Sequence, residues 1–69
     1  MTTTYYTNSP ELANNILSMP TVEMMLAWYR ECLNVAQKTK RESLADAARE
    51  LAHLWCEQNS GVKIIVVAK

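Results

Sequence analysis

Residues 22–58, VEMMLAWYRECLNVAQKTKRESLADAARELAHLWCEQ, decide the fold. At roughly 100° per residue, Val22, Met25, Leu26, Tyr29, Leu33 and Ala36 fall on one stripe with Cys32 on its flank, which predicts a helix over about 22–37. Leu44, Ala47, Ala48, Leu51, Leu54 and Trp55 form a second such stripe and predict a helix over about 44–58. Ser43 is the natural N-cap of that helix, with Asp46 three residues on as a short capping box. Between the two helices lies Lys38-Thr39-Lys40-Arg41, too short for anything but a tight connection. The pair is therefore expected to form an antiparallel hairpin with its stripes facing each other. Because this segment holds neither Gly nor Pro, one long bent helix is the alternative.

Upstream, Thr2 to Thr7 is β-branched and aromatic and reads as a short strand. Asn8-Ser9-Pro10-Glu11 then starts a brief helix over about 10–18, with Ser9 as N-cap, Pro10 at the first helical position and Glu11 near the positive dipole end. Pro20 ends it, and Thr21 can cap the next helix. Downstream, Asn59-Ser60-Gly61 supplies a stop, with Gly61 free to take the left-handed conformation. Val62 to Ala68 is a strand with apolar residues on both faces: Ile64 and Val66 point one way, Ile65 and Val67 the other. Such a strand wants cover on two sides. Its pairing with Thr2–Thr7, within one chain or across two, is open at this point. The expected class is α+β, mostly helical, as a single domain over 1–69: strand, three helices, strand.

Composition narrows the function classes. Seven Lys+Arg balance seven Asp+Glu in 69 residues, so the chain carries neither the basic footprint of a nucleic-acid binder nor the acidic profile of a disordered tail. Two cysteines make no disulfide framework, and the absence of an apolar export segment favours a reduced, cytoplasmic setting. The longest strongly apolar run, Ile64 to Ala68, is far short of the roughly 20 residues a bilayer span needs. A domain this small buries only about 60% of the surface its unfolded chain exposes, so it is marginal alone and often oligomeric.

Chemistry-bearing residues are sparse. Glu50 and His53 have the Glu-x-x-His spacing of di-iron bundles, but His53 is the single histidine and projects away from the Leu51 stripe. His53 with Cys56 offers two neighbouring ligands where a structural zinc needs four. In a hairpin turning near residue 40, Cys32 and Cys56 lie about 12 Å apart along the axis, beyond the roughly 4.4 to 6.8 Å Cα separation of a disulfide. A nucleophile would find no base but His53, and Gly61 alone cannot cradle a phosphate. No catalytic residue, cofactor or metal is therefore expected.

The most informative surface is a second stripe on the 22–37 helix. Met24, Trp28 and Val35 lie roughly 100 to 140° from the centre of the first, interrupted by Glu31. Either the short helix and the last strand cover it and complete an ordinary core, or a partner does. Trp and Met are types enriched at interface centres. The expected function is non-catalytic protein binding, as a small regulator, inhibitor or accessory subunit acting as a homodimer. Met24, Trp28 and Val35 would be the anchors, with Ile65 and Val67 extending contact by strand pairing. The alternative is a nucleic-acid-binding regulator using Lys38, Lys40 and Arg41, although these cations also suit the negative end of the helix dipole. The order strand, helix, helix shares an outline with ribbon-helix-helix regulators. With no Lys or Arg before Arg30, such a strand would read DNA with Thr and Tyr alone, and the likeness stops at topology.

Overall fold

The computed structural model describes residues 2–69. The chain runs β1 (Thr2–Thr7), α1 (Pro10–Leu17), α2 (Val22–Thr39), α3 (Glu42–Asn59) and β2 (Lys63–Ala68). All five expected elements are present in the expected order, and α2 packs closely on α3 as a hairpin.

The helix ends show which local signals won. Thr21 caps α2 as expected, its Oγ1 accepting from the Met24 N–H at 3.2 Å. Ser9 occupies the N-cap of α1 but makes no side-chain cap, and its own N–H instead donates to Thr7 Oγ1 at 3.1 Å. At the hairpin bend both helices run further than their stripes predict. Helix α2 continues to Thr39, and α3 begins at Glu42 with Arg41 as an uncapped N-cap. Ser43 is thus inside α3, and Asp46, freed from a capping box, pairs with Arg49 at 2.6 Å.

What makes so short a bend possible without glycine is Lys40, which adopts a left-handed φ of 55°. That conformation turns its N–H and that of Arg41 onto the Gln37 and Ala36 carbonyls, closing α2 in the manner of a Schellman motif. The long-bent-helix alternative fails here, because a left-handed residue breaks the helical run. Gly61 takes the left-handed region after α3 as its sequence position predicts, with φ 99°.

The strands pair with each other within one chain, in parallel, from Thr2 against Lys63 to Thr7 against Ala68. Parallel pairing requires a long crossover, which the three intervening helices supply. Side chains alternate across the ribbon. Tyr5, Ile64 and Val66 turn inward onto the core, while Tyr6, Ile65 and Val67 stay exposed on the outer face.

The core is built around α3. Leu51, Leu54 and Trp55 pack with Ala13, Ile16 and Leu17 of α1 and Met25 of α2. Two long-range hydrogen bonds lock the α1 exit to this helix. Trp55 Nε1 donates to the Met19 carbonyl at 3.0 Å, and Gln58 Nε2 donates to the Leu17 carbonyl at 2.8 Å. A buried indole needs such a partner, and the orphan carbonyls at the end of α1 need donors, so one arrangement satisfies both.

Candidate functional site: the uncovered side of the hairpin

Helix α2 is the element with most unmatched apolar surface. Its buried residues are Met25 and Ala36, and Trp28, Tyr29, Cys32 and Leu33 are half-buried around them. The line that faces α3 is therefore centred on Met25, Cys32 and Ala36, about 40° nearer to Trp28 than the sequence stripe suggests. Rotation in that direction has two consequences. Trp28 is drawn partly against the core, while Val22 and Leu26, expected to face α3, remain exposed at 50% and 42%.

On the other flank, Met24 and Val35 stand exposed at 48% and 40%, on either side of the half-buried Trp28. Apolar side chains thus occupy an arc of roughly 200° around α2, from Met24 to Leu26. One helix resting against it can cover only the middle of that arc. Helix α1 and the strands pack mainly on α3 and on each other, not across Met24 and Val35. The ordinary-core alternative, in which α1 and β2 cover the second stripe, is not what the packing shows.

The strand anchors behave similarly. Ile65 is 43% exposed and Val67 38%, and beside them Tyr6 is 60% exposed. Together they make a small apolar outer face on a ribbon whose inner face alone rests on helices. Tyr6 was not singled out by the sequence reading; its register against Val67 is what places it there.

Polar groups do not converge into a reactive centre. Glu50 lies beside the Tyr5 phenol, where burial first and the nearby carboxylate second hold the Tyr5 pKa above its ordinary value. His53 points elsewhere: its Nε2 meets Glu57 at 3.2 Å in an exposed pair that is ionic only when the imidazole is protonated. The Glu50-x-x-His53 spacing therefore brings no carboxylate and imidazole together. Among the described residues no three His, Cys, Asp or Glu side chains cluster to hold a metal. Cys32 and Cys56 are both free thiols. Burial, aided by Glu31, pushes the Cys32 thiol up from its ordinary pKa, which disfavours the nucleophilic thiolate.

Lys38, Lys40 and Arg41 are all exposed, and Lys69 is the one further cation that shares a groove with any of them, beside Arg41. Lys40 and Arg41 border an open groove of about 440 Å³ at the hairpin bend, lined also by Leu33, Ala36 and the acidic Glu42. A second groove, of about 430 Å³, lies where the strands end. Tyr5 of β1, Leu12 of α1 and Ser43 and Glu50 of α3 line it, together with Ser9, Arg41 and Lys69 from outside the helices and strands. No sequence pattern marks it, because its residues are scattered across the chain. Its charges are mixed, two cations against one carboxylate.

Among the described residues no helix is long and apolar enough to cross a membrane. No protein-family model, no curated protein and no solved structure matches the chain, so its geometry alone carries the functional reading.

Proposed function

We propose that the protein is a non-catalytic protein-binding module, a small regulator, inhibitor or accessory subunit that acts as a cytoplasmic homodimer. The observation that supports this reading is the uncovered apolar arc of α2, with Met24 and Val35 exposed and Trp28 half-buried between them. Apolar surface is common on any protein, but several apolar side chains gathered on one helix flank support a docking surface. Ile65 and Val67 add a second apolar patch that strand pairing or stacking would extend.

The competing reading, nucleic-acid binding through Lys38, Lys40 and Arg41, finds weaker support. Glu42 lies in the same groove as Lys40 and Arg41, the net charge is zero, and a few phosphate contacts give weak, salt-sensitive affinity. The two separate on a nucleic-acid column. Protein binding predicts little retention at about 0.1 M salt and no change on Lys40→Glu with Arg41→Glu. Strong retention that collapses with added salt and with those two substitutions would replace the protein-binding reading.

A further inference from the structure

Helix α2 carries Met24, Trp28, Glu31 and Val35 at successive intervals of four, three and four residues. That is the spacing of a coiled-coil seam, and it reads the same in both directions. A stripe with this symmetry is matched layer for layer by an antiparallel copy of itself. Resting on the protein-binding reading above, we infer that the occupant of this flank is α2 of a second copy, packed antiparallel about a two-fold axis between Trp28 and Glu31.

In that arrangement Met24 meets the partner's Val35, and Trp28 packs over the partner's Glu31 beside the axis. Charge supports the direction. Glu23 flanks the stripe at the start of α2, and Lys38, three residues beyond Val35, continues the stripe near its end; both are exposed. Antiparallel packing brings Glu23 within about two residues of the partner's Lys38 along the axis, and it opposes the two helix dipoles. A parallel pair would instead stack the Lys38, Lys40 and Arg41 end of one copy against the same end of the other.

Area supports a second copy as occupant. The chain exposes 4940 Å² at a mass of 7.8 kDa. A compact monomer of that mass exposes about 4,370 Å², leaving an excess of about 570 Å². An interface that took up all of this excess on both copies would bury about 1,100 Å², of the size of the roughly 1,000 Å² that a specific interface needs. The shape agrees: the Cα extents are 37 × 28 × 15 Å, and the radius of gyration of 11.8 Å exceeds the roughly 11.0 Å of a compact chain of this length.

The test uses the full chain with Cys32→Ala and Cys56→Ala, its helicity checked by circular dichroism. Chains carrying Met24→Cys and chains carrying Val35→Cys are mixed and oxidised. The mixed disulfide should dominate, because like positions lie about 16 Å apart along the axis in the antiparallel pair. On the native-cysteine chain, Lys38→Glu should weaken self-association about threefold to tenfold at low salt, and adding Glu23→Lys should restore it. These two positions are exposed, so the charge exchange remains readable if a cysteine variant misfolds. A dimer by mass that forms like-with-like disulfides, or that the double exchange does not rescue, overturns this geometry and leaves the protein-binding reading standing. A chain that stays at 7.8 kDa at every concentration removes the homodimer itself.

Discussion

Helices α2 and α3 are each 18 residues long, and both show an apolar stripe of ordinary helical period, yet they meet very different surroundings. Helix α3 is packed by α2, α1 and β2, and buries Ala48, Leu51, Leu54 and Trp55. Helix α2 leans on α3 and buries only Met25 and Ala36. The difference teaches that apolar patterning states how much surface a helix would hide, while the number of neighbours decides how much it does hide. In so short a chain α3 takes the available neighbours, and α2 is left with apolar side chains facing outward.

The sharpest way to break that comparison is to truncate one leucine on each helix. Leu51→Ala, in the buried core, should cost about 2–5 kcal/mol and bring a marginal domain close to unfolding at room temperature. Leu26→Ala, at 42% exposure, should cost less than about 1 kcal/mol in a urea melt of the same chain. Equal losses would mean that α2 is as well covered as α3. A smaller effect separates packing from hydrogen bonding in α3. Trp55→Phe keeps most of the apolar bulk but strands the Met19 carbonyl, and should cost about 1–3 kcal/mol by denaturant midpoint.

The backbone gives a pair of opposite sign. Gly61→Ala meets no neighbouring atom within 4 Å, so its penalty is conformational alone, about 1–2 kcal/mol at φ 99°. Lys40→Gly relieves a left-handed non-glycine residue at φ 55° and should raise stability by up to about 1 kcal/mol. The smallest effect concerns the thiols. Cys56 on the open side of α3 should react with a disulfide reagent at pH 7.5 several-fold faster than Cys32, which is half-buried and held above its ordinary pKa. Equal rates would place Cys32 on the solvent side of α2.

Element type and order were legible in the sequence because each signal was local. Pro10, Thr21 and Gly61 act within a turn of where they stand, and periods of two and of 3.6 residues are distinct over six or more positions. Local signals failed where two of them competed. Ser43 is a better cap than Arg41 in isolation, but Lys40 can turn left-handed and let α3 start earlier, so the cap went unused. The candidate site was legible in part. Met24 and Val35 were recognisable from spacing alone, and so was the two-faced alternation of Ile65 and Val67. The exposure of Val22 and Leu26 was not, since it depends on the rotation of α2 against α3, a long-range quantity. Tyr6 and the groove at the strand ends were invisible for the same reason: register and crossover bring their residues together, and neither is written at any one position.

Sedimentation equilibrium from about 1 to 100 μM, a range spanning the affinities expected of a small interface, measures the central claim directly. If the apolar arc of α2 is a docking surface for a second copy, the mass rises with concentration toward twice 7.8 kDa, and replacing Met24 and Val35 together by Arg returns it to the single-chain value while helicity is kept. A constant single-chain mass, together with a Trp28 indole fully shielded from acrylamide in a Trp55→Phe chain, would contradict the account.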